Sequence, residues 1–221
     1  MDIFEIMKAR HAVRSYNNKK IEDAKVKALQ ELIKECNEEG GLHIQLCLEE
    51  PNAFSGMKAH YGKFRNVNNY VALIGKKSKD LEEKIGYFGE KIVLKATELG
   101  LSTCWVAMTF SKGKCGAEIG EDEKLLIVVS LGYSDEIGIA HKTKSIEELS
   151  HVSGEVPDWF KRGMEAAQLA PTAMNQQKFC FFSKGNTVTA KSGTAFYSKV
   201  DLGIAKYHFE LGAGKENFEW A

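Results

Sequence analysis

Neither glycine-rich phosphate signature, GxGxxG or GxxxxGK[ST], occurs in the chain, which argues against a separate Rossmann or P-loop nucleotide site. No Ser/His/Asp arrangement or metal-spaced cluster of ligands stands out either, so a built-in nucleophile or metal centre has no support. There is no excess of charge: Lys+Arg 30 balances Asp+Glu 30, leaving no global field to attract nucleic acid or an anionic membrane. No apolar run approaches the roughly 20 residues of a membrane span. The opening MDIFEIMKARH carries acids where a signal peptide needs an uninterrupted apolar segment, so a cytoplasmic protein is expected. CxxC is missing too. The five cysteines, Cys36, Cys47, Cys104, Cys115 and Cys180, are odd in number and scattered, which suits reduced thiols, at least three of them expected as core fillers.

What is present suits a packed protein. In 221 residues, 43% hydrophobic content is ample for a core in one large domain or two small ones. Helical spacing marks residues 2–10, about 22–36 (ended by Gly40-Gly41), about 80–99 as a central buried helix, a helix opening at Pro157, and about 198–212. Strict alternation over Leu42–Leu48 predicts a half-buried strand, Tyr70–Ile74 another, and LLIVVSL (125–131) a fully buried one. Residues 50–69 read as a polar loop, Ser145 and Glu148 as a capping box, and Gly185-Asn186 as a hairpin turn.

Four stretches carry candidate chemistry. In RHAVRSY, Arg10 and Arg14 can converge on one dianion through charge-assisted contacts, or they form a solvated basic helix end. LSTCWVAMTF (101–110) either brings backbone N–H groups to a planar ligand or is a buried connector. HKTK (141–144) is a second small basic cluster. APTAMNQQ (170–177) must turn at Pro171 and displays backbone amides, one hydroxyl and three side-chain amides; it can grip a flat ligand or simply join helix to strand.

An internal repeat is also legible. DLGIAKYHFELGA overlays KIGYFGEKIVLKA with Gly203, Leu211 and Ala213 on Gly86, Leu94 and Ala96, and residues 163–182 overlay 31–48 with two extra residues.

Together these segments resemble the FMN-dependent nitroreductase family, specifically its single-chain, internally duplicated branch. The likeness rests on RHAVRSY, on APTAMNQQ against the family's A-P-S-x-x-N-x-Q-P-W, on ELGLSTCW against G-L-G-x-x-W, on the strand ending Leu131-Gly132-Tyr133, and on the basic cluster before SIEEL. It implies an α+β nitroreductase-like fold of mixed, mainly antiparallel sheets packed with helices. Two related halves, 1–154 and a shorter 155–221, would form an intrachain pseudo-dimer with one flavin per chain. Carried over, Arg10, His11, Ala12 and Arg14 would bind the FMN phosphate and ribityl chain, with Lys142 and Lys144 as further phosphate partners. Ala107 and Met108 would present N–H groups to the N5 and O4 edge, and Pro171, Thr172, Ala173, Asn175 and Gln177 would cover the ring. Two positions depart from the pattern: Ala12 stands where the family often has serine, and Lys178-Phe179 replaces Pro-Trp.

The resemblance further implies an enzyme. NADH or NADPH would reduce the flavin, and a nitroaromatic, quinone or similar planar acceptor would take the hydride in a ping-pong cycle. The chain would be a monomer or a weak homodimer. The alternatives are a non-catalytic flavin-binding protein and a flavin-free interaction module.

Overall fold

The computed structural model describes residues 2–221. In chain order the elements are α1 (Ile3–Ala9), α2 (Asp23–Gly40), β1 (Gln45–Cys47), α3 (Met57–Tyr61), β2 (Asn69–Lys76), α4 (Leu81–Glu98), β3 (Ser102–Val106) and β4 (Glu123–Gly132). They continue with α5 (Ile146–Leu149), β5 (Ser150–Ser153), α6 (Asp158–Ala167), β6 (Phe179–Lys184), β7 (Thr187–Ser192), α7 (Ser198–Ala213) and β8 (Glu219–Trp220). The class is α+β, as expected. Two compact units interleave along the chain: an early unit, 9–81 with 92–140, and a late unit, the residues up to Lys8 with 82–91 and 141–221. Among the described residues no helix is long and apolar enough to cross a membrane.

The early unit is built on an antiparallel sheet ordered β1-β2-β4-β3. Its middle strands β2 and β4 are buried almost throughout, which is why they read as continuous apolar runs rather than alternating ones. Leu101–Phe110, weighed as a connector, is largely strand β3, registered against β4 from Ser102↔Gly132 to Val106↔Val128. The strand expected over Leu42–Leu48 shrinks to Gln45–Cys47. The cause is local: the Asn37 side chain takes both backbone groups of Ile44, accepting from its N–H at 2.7 Å and donating to its carbonyl at 2.9 Å. Helix α2 also runs past Cys36 to Gly40, where Gly41 at φ 62° supplies the left-handed cap.

Residues 50–69 correct the loop expectation. They hold a 3-10 turn at Asn52–Phe54 and helix α3, and they bury Ala53, Phe54, Ala59, Phe64 and Val67. The Phe54 ring meets Phe64 edge-on at 5.3 Å and stacks near Phe110 at 6.2 Å. Apolar residues spaced singly among polar ones show no periodicity, so the sequence hides this packing.

The late unit has a mixed sheet, β5-β6-β7-β8, with β5 parallel to β6, the β6–β7 hairpin antiparallel, and β8 parallel to β7. Its core is aromatic: Phe181 stacks on Phe209 at 4.7 Å, and Phe160, Phe218 and Trp220 close around Phe209. Helix α7 is buried on nearly every face. It can be so because it meets residues 82–91 of α4 through glycine. A Cβ on Gly86 would lie 2.0 Å from the Val200 carbonyl oxygen, and one on Gly203 would lie 2.0 Å from the Glu83 carbonyl oxygen. Each glycine faces the residue three before the other, a reciprocal contact.

Polar groups lock the same crossing. His208, fully buried, donates from Nδ1 to the Ala166 carbonyl at 3.1 Å and meets the equally buried Glu90 carboxyl through Nε2 at 2.9 Å. Glu210 accepts from the Tyr87 hydroxyl at 2.5 Å and from Trp220 Nε1 at 2.6 Å. All partners are satisfied, which is the condition for burying charge without large cost.

Since the obstructing atoms at Gly86 and Gly203 are backbone, neither position can accept a methyl without moving a helix. Gly86→Ala and Gly203→Ala should each cost about 3 kcal/mol in denaturant unfolding. Gly113, with nothing within 4 Å of its Cβ position, is the control. Equal midpoints for Gly86→Ala and Gly113→Ala would contradict the crossing.

Candidate functional site

In the early unit, the basic segment leaves α1 in extended backbone instead of continuing as a helix end. Ala12 bridges Thr103 of β3 in parallel, the Val13 N–H donates to the Thr103 carbonyl at 3.0 Å, and Ser15 bridges Arg65. Tyr16 pins the far end: its buried hydroxyl donates to the Val13 carbonyl at 2.8 Å and lies 2.7 Å from Ser130 Oγ. Arg10 is buried, whereas Ala12 and Arg14 are exposed, with the Arg14 guanidinium 5.9 Å from the centre of the Phe64 ring. Burial raises the Cys104 thiol pKa, and the fields of Arg14 and Arg10 both pull it back, so the two guanidiniums act on one neighbourhood.

Beside this segment lies a cavity of about 210 Å³ lined by Arg10, His11, Ser102, Thr103, Glu136 and Gly138 among others. Gly138 is needed there, because a Cβ would stand 2.2 Å from His11 Cβ. Ala107 and Met108 follow directly on the end of β3, and Met108 is 68% exposed. One strand therefore carries both groups: the basic segment runs along it at Thr103, and the small residues sit at its C-terminal end. Four residues of strand separate them, about 13 Å.

In the late unit, the turn after α6 is strained. Met174, Asn175 and Gln177 have φ of 51°, 53° and 45°, left-handed values that non-glycine residues adopt at a cost of order 1 kcal/mol or more each. The surroundings enforce them. The Gln177 amide accepts from Lys144 N–H at 2.8 Å and donates to the Lys142 carbonyl at 2.8 Å and to Asn175 Oδ1 at 2.9 Å. Asn175 Nδ2 also donates to the Lys142 carbonyl, at 2.9 Å, and Lys144 Nζ donates to the carbonyls of Gln177 and Gln176 at 3.1 and 3.3 Å. The structure thus joins the basic cluster Lys142–Lys144 directly to Asn175 and Gln177.

The expectation that this turn offers its amides outward is corrected. Asn175 N–H goes to the Thr172 carbonyl, Gln176 N–H to the Ala173 carbonyl and Gln177 N–H to Thr172 Oγ1. Ala173 N–H goes to Asp201 Oδ1 at 2.9 Å, and Gln176 Nε2 to Asp201 Oδ2 at 3.0 Å. Pro171 and Thr172 are half-buried beside it, and Met174 is 78% exposed. Asp201, in the first turn of α7, is the residue that sequence reasoning missed. An acid in a first helical turn is ordinary, and only its burial beside the turn marks it out. Burial pushes its carboxyl up from 3.8 to about 6, against the hydrogen bonds from Gln176 and Ala173.

A family model described as "Putative TM nitroreductase" matches residues 2–213. Comparison with curated proteins returns no match. Among solved structures, a "putative nitroreductase" from Thermotoga maritima superposes with a TM-score of 0.68 at 23% identity, covering 98% of this chain and 85% of its own. An FMN-dependent nitroreductase from Clostridium difficile R20291 has a TM-score of 0.52 at 18% identity over 63% of this chain and 91% of its own. A "putative nitroreductase in complex with fmn" from Desulfovibrio desulfuricans gives 0.55 at 13% identity over 71% of this chain and 99% of its own. The chain has the nitroreductase fold.

The Asp201 carboxyl yields a pH test. Its folded pKa lies above its unfolded one, so the unfolded chain releases this proton first, and the contribution to stability falls as pH rises from about 4 to about 6. Asp201→Asn removes that slope while its other effects stay constant with pH. The stability of wild type relative to Asp201→Asn should drop by about 2 kcal/mol between pH 4 and pH 7 in denaturant titrations. A difference that stays flat over that range would contradict the buried carboxyl.

Proposed function

Because the chain belongs to the "Putative TM nitroreductase" family, we propose that it is an FMN-dependent oxidoreductase that draws on NADH or NADPH and reduces nitroaromatic, quinone or similar planar acceptors by a ping-pong route. The observation that carries this reading is the course of the basic segment, whose Ala12 bridges Thr103 of β3 between Arg10 and Arg14, with Ala107 and Met108 directly after that strand. That donor set fits FMN: a dianionic tail wants charge-assisted contacts from groups that never lose their proton, and a polar ring edge wants fixed N–H donors.

In this reading Arg14 and Arg10 hold the phosphate, His11 and Ala12 flank the ribityl chain, and Ala107 and Met108 direct backbone N–H groups at the N5 and O4 edge. Lys142 and Lys144 act through the turn they fasten, as well as through their charge. Pro171, Thr172 and Ala173 cover the ring by shape, and Asn175 and Gln177 hold that shape, their amides being spent on Lys142 and Lys144. Bound FMN supplies a two-electron carrier that accepts hydride from a nicotinamide and passes it to the acceptor. No side-chain acid, base or nucleophile is needed for the transfer, in keeping with the lack of any such constellation in the sequence.

We propose as well that the chain is internally duplicated and holds one flavin per monomer in a cytoplasmic setting. The reciprocal contact of Gly86 and Gly203 supports the duplication. So does the coverage: nitroreductases matched over 91–99% of their own length account for only 63–71% of this chain.

Purified protein mixed with FMN and desalted should keep the yellow flavin absorbance, bleach anaerobically with NADH or NADPH, and recover on adding a quinone or nitroaromatic. Arg14→Ala should weaken FMN binding by about ten- to a hundredfold. Protein that retains no flavin, or retains it unchanged in Arg14→Ala, would overturn the cofactor assignment. Retained flavin that no nicotinamide bleaches would overturn the catalytic reading alone.

A further inference from the structure

Two large apolar side chains of the late unit stand in water beside the strained turn. Met174, within the turn, is 78% exposed, and Phe196, in the loop between β7 and α7, is 73% exposed. A single exposed apolar residue is ordinary on a protein surface. These two are not single, because their loops are fastened to each other. The Gln176 side chain donates from Nε2 to the Phe196 carbonyl at 2.6 Å, and the Gly193 N–H donates to the Lys178 carbonyl at 2.7 Å.

Both loops are held against conformational preference. Met174 has φ 51°, and Tyr197, directly after Phe196, has φ 58° where it opens α7. For a bulky side chain the left-handed region is a genuine outlier. The buried Asp201 stabilises the two loops at once. Its carboxyl accepts from the Ala173 N–H at 2.9 Å and from Gln176 Nε2 at 3.0 Å, while its own N–H donates to the Tyr197 carbonyl at 2.9 Å. Backbone strain of this kind clusters at ligand clamps. Here it keeps a thioether and a phenyl ring out of the core, where neither contributes to stability.

We propose that Met174 and Phe196 form the apolar wall of the acceptor subsite and select electron-poor flat rings, quinones and nitroaromatics, over acceptors that have no ring. The proposal rests on the reading above in which residues 171–173 cover the flavin ring. Met174 follows that cover directly, and Phe196 is tied to Gln176, two residues further on. The side chains suit such a ligand. A phenyl face carries the negative part of its quadrupole and a thioether is soft and polarisable, so both favour a ring whose electrons are drawn off by carbonyl or nitro groups.

Size points the same way. Two side chains cover one small ring system, whereas a protein partner buries about 800 Å² on each side of a stable interface. The wall touches no reacting atom of the acceptor, so its effect lies in binding. Removing the phenyl ring raises KM for a flat acceptor, and an acceptor that cannot stack is indifferent to it.

One arm of the test needs no turnover. The oxidised full chain, with its methionine methyl groups isotopically labelled, is titrated with menadione and followed by NMR; Met174→Leu identifies the Met174 signal among the six methionines. That signal should shift upfield under the ring current of the bound quinone. Phe196→Ala should weaken menadione binding about tenfold, and Phe196→Tyr should restore it. In steady-state assays Phe196→Ala should raise KM for menadione by the same factor and leave KM for ferricyanide where it was, with flavin absorbance and circular dichroism as in wild type. A Met174 signal unmoved by saturating menadione, one that moves with protein concentration instead, or unchanged menadione affinity in Phe196→Ala would overturn the proposal. The two readings fail separately: lost flavin absorbance speaks against the cofactor, and an unmoved Met174 signal speaks against the wall.

Discussion

Two glycines set how the late unit is built. With no side chain at Gly86 or Gly203, α7 and the 82–91 stretch of α4 meet carbonyl against Cα, closer than any other residue allows. That approach brings Glu90 within reach of His208 and Tyr87 within reach of Glu210, so that otherwise expensive buried charges find partners. It also fixes α7, whose first turn presents Asp201 and whose centre presents Phe209 to the aromatic core. The sheet, the core and the strained turn of this unit all rest on a helix that only glycine lets sit where it does.

The turn at 171–177 shows what that rigidity is for. Three left-handed non-glycine residues in one short turn persist only where the surroundings over-determine them. Here Asp201 holds one side, and Lys142 and Lys144 hold the other. The result is a preorganised surface with the N–H groups of Ala173, Asn175, Gln176 and Gln177 bonded within the unit. In the early unit the division is reversed, since an exposed Arg14 and the end of β3 offer charge and backbone rather than shape.

The sequence shows most of this where the signal is local. Helices α4 and α7 follow from their apolar spacing, β4 from its unbroken apolar run, and α5 from the Ser145/Glu148 capping box, which the structure forms in full. The signal fades where the packing or hydrogen-bond partner of a single side chain decides. Ile44 leaves the ladder because of Asn37, the 50–69 segment packs through single aromatics, and the two-residue β8 exists only beside β7. The candidate site divides in the same way. RHAVRSY and APTAMNQQ stand out by residue type, but the extended course of the first depends on Thr103, and the spent amides of the second depend on Asp201 and Lys142.

The proposed duplication makes a claim about number that is open to direct measurement. RHxxR occurs once in the sequence, so the proposed reading has one phosphate held per chain. Calorimetric titration of FMN into the apoprotein, with light scattering on the same sample, reads both the number of sites and the number of chains. The account predicts one FMN per chain on a particle of 24.6 kDa. Two flavins per chain, one flavin per two chains, or binding that occurs only in a stable homodimer would contradict it.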